Sequence, residues 1–152
     1  MTRYFFELSY NGKGYAGFQR QKNARAIQDE IDQALSQILH EPVRTTGSSR
    51  TDAGVHARQN FVHFDGPDEL PQNVLYSLNA ILSRQIAAVS LFPVPPKAHA
   101  RYDACSRSYR YCIYTLKDPF LQDFGYFYPY PLNLEILQKA AEMVLENIDF
   151  QA

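Results

Sequence analysis

The stretch YFFELSY, residues 4–10, sets the fold of this chain. Its even-numbered positions are all large and apolar, whereas positions 7 and 9 carry a glutamate and a serine. This period of two predicts a β-strand that is buried more heavily on one face. The chain has 152 residues, of which 45% are hydrophobic, and is therefore expected to form one compact globular unit with its own core.

The segments after this strand predict an alternating order of helices and strands. Apolar residues at helical spacing over 27–38 and 71–82 indicate two amphipathic helices. Short runs at 43–46, 60–64 and 86–92 read as strands. The order β-α-β-β-α-β predicts an α+β fold of the ferredoxin-like, RRM-like kind, an antiparallel sheet with both helices on one face. The other face of the sheet would be left free for a ligand.

The last third of the chain predicts additions to this plan. Segments 98–102 and 108–116 look like strands, and an aromatic loop follows at 119–130. A final helix is predicted from Asn133, a plausible N-cap. Its apolar side comprises Leu134, Leu137, Ala141, Val144, Leu145 and Ile148. Since the sequence stops directly after this helix without a closing strand, we expect residues 1–152 to be part of a domain truncated after Ala152.

Composition excludes several classes of protein. No apolar run approaches the roughly 18 residues needed to span a bilayer, and the N-terminus lacks the apolar core of a signal peptide. A cytoplasmic protein without a membrane partner is therefore expected, and Cys105 and Cys112 are interpreted as reduced thiols.

The net charge of -1 conceals a separation of charges along the chain. Residues 11–25 and 97–117 each carry a net charge of +4 and many aromatic residues, whereas the acids gather on the predicted helices. Basic residues interleaved with tyrosines suit a surface that neutralises phosphates and stacks bases. A solvated face combined with core tyrosines is the alternative. Glycines at 12, 14 and 17 match neither a dinucleotide-binding nor a P-loop fingerprint.

The segment GSSRTDAGVHARQ, residues 47–59, places Asp52 between Arg50 and Arg58 in a connection between two predicted strands. The neighbouring positive charges should keep this aspartate ionised, so it is better suited to act as a nucleophile or to stabilise a cation than as a general acid. The structural alternative is an Asx turn in which Asp52 caps the loop backbone. A metal site formed with His56 and His63 is opposed by the two arginines.

Several motifs in order along the chain resemble the N-terminal part of the TruA-type tRNA pseudouridine synthases. They are YNGKGYAGFQRQ at 10–21, SRTDAGVHA at 49–57, HARY at 99–102 and RSYRY at 107–111. The resemblance extends over essentially the whole chain. Phe18 stands where the family often has tryptophan, and Ser49 where it often has glycine.

The resemblance implies isomerisation of uridine to pseudouridine in the anticodon stem-loop of tRNA, at positions 38–40, without an organic cofactor or a metal. It implies that Asp52 is the nucleophile, that Arg50 helps to displace the target base, and that Tyr109 packs on the flipped uracil and takes part in proton transfer. Tyr109 shares its strand face with Tyr111, which could be a core residue. Looser assignments to tRNA phosphates are Arg20, Lys22, Arg25, Arg58, Arg101, Arg107 and Arg110.

The resemblance also implies that a C-terminal portion is missing, together with an arginine that pairs with the aspartate and part of a homodimer surface. These 152 residues alone would then be inactive. A non-catalytic RNA-binding module is the alternative function. A glycosidase-type hydrolase is a weaker one, since it needs a second carboxylate, for which Asp65 and Asp103 could be proposed.

Overall fold

Strand β1 (Thr2–Tyr10) lies inside a four-stranded antiparallel sheet in the computed structural model, which describes residues 1–147. The strand order is β2-β3-β1-β4, with β2 at Thr46–Gly47, β3 at Ala57–Gly66 and β4 at Ile86–Val94. β1 is hydrogen-bonded to β3 on one side and to β4 on the other. It is therefore a central strand of the sheet, with a hydrogen-bonded neighbour on each side.

Two helices cover one face of this sheet. Helix α1 (Ile27–Leu39) and helix α2 (Val74–Ile81) pack on the even-numbered side chains of β1 from Tyr4 to Tyr10, which are all buried. Residues of the shared core include Phe6, Leu8, Ile31, Leu35, Val62 and Leu78. The predicted β-α-β-β-α-β order and the antiparallel sheet with helices on one face are thus confirmed.

The second strand is shorter and lies later than the segment 43–46 predicted for it. Only Thr46–Gly47 pairs with β3. Thr45 is withdrawn from the sheet because its backbone N–H and its hydroxyl both donate to the carboxylate of Asp32 on α1, at 3.0 and 2.6 Å. A side-chain acceptor on a helix has replaced the neighbouring strand as the partner of this backbone.

The prediction of a strand at 98–102 is wrong. These residues form turns, because the backbone N–H groups find local acceptors. The N–H of His99 donates to the Asp103 carboxylate at 2.8 Å, and the N–H groups of Tyr102 and Asp103 donate to the carbonyl of His99 at 3.1 and 2.9 Å. The turn is docked on β3 by a bond from the N–H of Ala100 to Nδ1 of His63, at 3.1 Å.

The chain divides into two compact units, of which the first is Met1–Ser108 and the second begins at Tyr109. In the second unit, the strand predicted over 108–116 is reduced to β5 (Ile113–Tyr114), which pairs in parallel with β6 (Tyr126–Phe127). The interpretation of Tyr111 as a core residue is wrong, since its side chain is 76% exposed.

The predicted final helix is present as α3 (Leu134–Leu145) in the second unit. The Asn133 side chain accepts a hydrogen bond from the N–H of Ile136 at 3.1 Å, which confirms the predicted N-cap. Ile148, assigned to the apolar side of this helix, lies outside the described residues. Both cysteines are free thiols, and no helix within residues 1–147 is long and apolar enough to cross a membrane.

Candidate active site

Asp52 lies on an exposed loop between β2 and β3, here called the Asp52 loop (residues 48–56). The loop turns tightly because Gly54 has a φ of 77°, and the turn is closed by a backbone bond from Val55 N–H to the Asp52 carbonyl at 3.2 Å. Within residues 1–147 the Asp52 carboxylate itself makes no hydrogen bond and no ion pair. Its side chain therefore does not cap the loop, and its two oxygens face solvent.

A second loop, called the glycine-rich loop, contains Gly12, Gly14 and Gly17, and its backbone contacts the backbone of the Asp52 loop. A Cβ atom on Gly12 would lie 2.1 Å from the carbonyl oxygen of Val55, and one on Gly17 would lie 2.8 Å from that of Thr51. The N–H of Gly12 also donates to Nδ1 of His56 at 3.0 Å. The glycines at 12 and 17 thus allow two loop backbones to touch, a role that their spacing alone did not reveal.

Polar contacts hold the beginning of the Asp52 loop on the sheet. The N–H of Ser48 donates to the carbonyl of Phe61 at 2.7 Å, and its hydroxyl donates to Oδ1 of Asn60 at 2.8 Å. The hydroxyls of Tyr10 and Thr51 are 2.7 Å apart, and Nδ2 of Asn60 donates to the Tyr10 hydroxyl at 3.3 Å. Asp52 is therefore carried by a loop fixed at several points, as a reacting side chain requires.

The two arginines that flank Asp52 in sequence do not neutralise it. Arg50 and Arg58 are both exposed, and neither forms an ion pair with a carboxylate in the described part of the chain. Arg50 contributes to the wall of a cavity in the first unit. Both guanidinium groups are therefore available to an anionic ligand.

The two arginines of the basic segment 11–25 are paired with acids of α1. Arg20 donates to Asp29 at 2.8 Å and also pairs with Asp32, which is buried. Arg25 pairs with Glu30 at 2.6 Å, and its guanidinium lies 4.5 Å from the centroid of the Tyr15 ring. The basic loop and the acidic helix are separate segments of the sequence, but their side chains form ion pairs in the structure. The assignment of Arg20 and Arg25 to tRNA phosphates stays a prediction, as does that of Lys22.

Arg101, which lies in the turn at 98–102, and Arg107, which follows it, have different environments. The Arg107 guanidinium donates to the carbonyl of Ser48 at 2.8 and 3.2 Å and to the carbonyl of Arg101 at 2.9 Å. The Arg101 side chain lines the same cavity as Arg50. Arg107 is thus engaged with the protein backbone, whereas Arg101 faces a space that can hold a ligand.

Tyr109 and Arg110 belong to the second unit, and both are exposed. The Tyr109 ring is 74% exposed, so it is not part of a core. An exposed tyrosine ring is compatible with stacking on a base. The predicted role of Tyr109 at a flipped uracil remains a prediction.

The carboxylates considered for a glycosidase are held elsewhere. Asp65 forms a two-pronged ion pair with Arg3, with both N···O distances at 2.8 Å, and this hydrogen bonding lowers the pKa of Asp65. It lies eight residues along β3 from the end that carries the Asp52 loop, about 26 Å at the usual rise of a strand. A retaining or inverting pair needs about 5 to 10 Å, so Asp65 does not partner Asp52. Asp103 is engaged with the backbone N–H of His99.

The histidines considered for a metal site accept hydrogen bonds from backbone N–H groups. Nδ1 of His56 accepts from Gly12, and Nδ1 of His63 accepts from Ala100. Burial lowers the pKa of His63 and so favours the neutral ring that this hydrogen bond requires. Across residues 1–147, no three histidine, cysteine or acidic side chains are grouped as a metal would need.

Comparison with known proteins gives one consistent result. Residues 8–103, which include both loops of the site, match the family model described as tRNA pseudouridine synthase. The chain is 41% identical over 152 residues to tRNA pseudouridine synthase A of Parabacteroides distasonis, and 39% identical over 153 residues to that of Porphyromonas gingivalis. The alignments cover 99% of this chain, but 60% and 61% of the two relatives.

The chain therefore spans about three fifths of the length of these relatives. The matched region is more than half of the chain and contains strands β2 to β4, the end of β1, the glycine-rich loop and the Asp52 loop. Together with the antiparallel α+β fold, this match shows that the chain belongs to the tRNA pseudouridine synthase family.

Proposed function

We propose that this chain is the N-terminal portion of an enzyme that converts uridine to pseudouridine in the anticodon stem-loop of tRNA, at positions 38–40. The observation that carries the proposal is the Asp52 carboxylate, which is exposed and unpaired within residues 1–147 on a loop fixed by backbone contacts. An aspartate used only for structure would be expected to cap the loop or pair with an arginine. A carboxylate left open to solvent on a fixed loop suits a nucleophile.

In the proposed reaction Asp52 attacks either the base or the sugar of the target uridine. If Asp52 attacks the sugar, the base leaves with the electrons of the N-glycosidic bond, and the resulting ester bond to Asp52 breaks when C5 of the turned base attacks the sugar. If Asp52 attacks the base, the bond to Asp52 forms before the N-glycosidic bond breaks, and it is broken once C5 is joined to the sugar. The carboxylate is regenerated in both cases. The proton displaced from C5 is lost and N1 of the base ends protonated, so the product is an isomer and no oxidant or reductant is consumed. No organic cofactor or metal is part of the proposal.

The uridine has to leave its stack before Asp52 can reach it, at a cost of a few kcal/mol. We assign displacement of the base to Arg50, which is exposed and lies two residues before the nucleophile. We assign the surface on which the uracil packs to Tyr109, since stacking on an aromatic ring offsets about 1 to 3 kcal/mol per base. Transfer of the C5 proton is assigned to the same tyrosine.

The part of the relatives that extends beyond this chain is proposed to complete the site and a homodimer surface. The 152 residues alone are then expected to lack turnover. We place the whole protein in the cytoplasm with its tRNA substrate.

Release of tritium from tRNA labelled at uridine C5 tests the proposal on the full-length protein expressed from its natural reading frame. Asp52→Asn should lower the rate by at least about 10³-fold, because the amide is not a nucleophile. Asp65→Asn is the matched control, since that carboxylate pairs with Arg3 at the far end of β3. Release at the wild-type rate by Asp52→Asn would exclude Asp52 as the nucleophile.

A non-catalytic RNA-binding module makes different predictions in the same experiment. It would bind tRNA in a salt-dependent manner, bind equally well with Asp52→Asn, and leave the RNA unmodified. The glycosidase-type hydrolase is tested by analysing the products after digestion of the RNA, because it would produce free uracil in place of pseudouridine.

A further inference from the structure

A cavity of about 220 Å³ lies within the first unit, with the start of the Asp52 loop as one wall and the HARY turn as another. We call it the Arg50–Arg101 cavity after the two cationic side chains that line it. Thr46, His99 and Tyr102 are also in its lining, and among the described residues no carboxylate is. It is therefore a polar cavity of positive charge.

The two arginines of this cavity differ from Arg20, Arg25 and Arg107 in their partners. Arg20 and Arg25 are paired with acids of α1, and Arg107 is bonded to carbonyl groups. Arg50 and Arg101, in contrast, have no carboxylate partner within residues 1–147. Planar guanidinium groups donate in pairs to the oxygens of a phosphate, and they do so most strongly where no acid competes.

The walls of the cavity are held at a fixed separation. One Arg107 guanidinium bonds to the carbonyl of Ser48, two residues before Arg50, and to the carbonyl of Arg101 itself. His99 adds rigidity, since its ring lies 4.5 Å from that of the buried His63 and is stacked on Tyr102 at 4.2 Å. The backbone segments that carry Arg50 and Arg101 are thus joined through Arg107 in the absence of a ligand.

We propose that the Arg50–Arg101 cavity binds one phosphodiester group of the substrate RNA, and that Arg107 is the positioning residue that holds its two walls together. The inference deepens the proposed function and rests on it in taking RNA as the substrate. Arg50 is two residues from Asp52, at most about 7 Å along the chain. The phosphate is therefore that of the target uridine or of a neighbouring nucleotide, which fixes the register of the RNA against the nucleophile.

The test measures binding of a fluorescent anticodon stem-loop hairpin to the full-length protein at several salt concentrations. Each phosphate contact on single-stranded nucleic acid contributes about 0.7 to the slope of log K against log[salt]. Arg50→Gln and Arg101→Gln should each reduce the slope by about this amount. The double variant should reduce it by the same amount and not by twice as much, because both side chains hold one phosphate.

Arg84→Gln is the control, since it removes an exposed arginine that does not line the cavity, and its slope should equal that of the wild type. Unchanged slopes for Arg50→Gln and Arg101→Gln would overturn the proposal. Loss of turnover by Arg50→Gln at an unchanged slope would mean that Arg50 acts on the base alone.

Arg107→Lys and Arg107→Gln separate a positioning residue from a phosphate contact. Lysine keeps the charge but does not present the planar fork that bridges two carbonyls. If Arg107 holds the walls, both variants lose the same slope of about 0.7 and the same affinity. If it contacts a phosphate directly, Arg107→Lys keeps the wild-type slope, and the positioning role is wrong.

Inorganic phosphate, added at constant ionic strength, tests whether the cavity serves a free anion instead. An RNA subsite predicts weak competition with the hairpin that is lost in Arg101→Gln. A rise in the melting temperature with phosphate but unchanged hairpin slopes in the variants would overturn the assignment to RNA. The slopes do not depend on turnover, so a protein that binds as expected but releases no tritium refutes the proposed function and not the subsite.

Discussion

Replacing Gly12 by alanine should displace the Asp52 loop without changing any residue proposed to react. The new Cβ would lie 2.1 Å from the Val55 carbonyl oxygen and 2.7 Å from its carbon, both backbone atoms. Since Cβ contacts under 3.0 Å essentially do not occur, the two backbones must separate by about 0.9 Å. Val55 is bonded to the carbonyl of Asp52, so the carboxylate moves with it.

A displacement of about 1 Å at a reacting group costs on the order of 10²-fold in rate. We therefore expect Gly12→Ala to lower kcat for tritium release by about 10²-fold, with a loss of about 1 to 3 kcal/mol in the free energy of unfolding from overpacking. The rate is measured under saturating tRNA at a temperature where circular dichroism shows the variant to be folded.

Gly14→Ala is the matched control in the same loop. Nothing lies within 4 Å of the Cβ that it would add, but its φ is 83°, a conformation unfavourable for alanine. It should lose about 1 to 2 kcal/mol of stability and keep its turnover while folded. Wild-type turnover in Gly12→Ala, or an equal loss of turnover in folded Gly14→Ala, would refute the reasoning that backbone contact positions Asp52.

Two further predictions concern stability. Asp32→Ala should cost about 3 to 5 kcal/mol in urea unfolding, because it leaves the buried N–H and hydroxyl of Thr45 without their acceptor, whereas Asp29→Ala, at a partly exposed ion pair, should cost about 0 to 1 kcal/mol. Equal losses in the two variants would contradict this view of Asp32. Burial lowers the pKa of His63 below its ordinary value of 6.5, so the unfolded state takes up a proton before the folded state does. The urea midpoint should therefore fall as the pH drops below about 6.5, and His63→Gln should flatten that dependence. A profile unchanged by the substitution would place the titration elsewhere.

The fold was predictable because it depends on local periodicity. The alternation in β1 and the apolar stripes of α1 and α2 predicted the type of each element and the face that each one buries. The Asn133 cap was also visible, since capping uses a side chain and an N–H only three residues apart. The structure differs from the strands predicted at 43–46 and 98–102 because backbone N–H groups there donate to the side chains of Asp32, Asp103 and His63 and to the carbonyl of His99. Sequence periodicity does not report such bonds.

The order of motifs along the chain, through its resemblance to the TruA-type synthases, singled out Asp52 and its neighbour Arg50 as a candidate site, whereas the residue types alone left an Asx turn open. Which cations remain available to a ligand was decided only by the tertiary structure. The acids of α1 pair with Arg20 and Arg25 across the end of the basic loop, and Arg107 joins the carbonyl of Arg101 to that of Ser48, which lies 59 residues away in sequence. Charge pairing and backbone contact act over a few ångströms in space, so a linear sequence specifies the groups but not which of them meet.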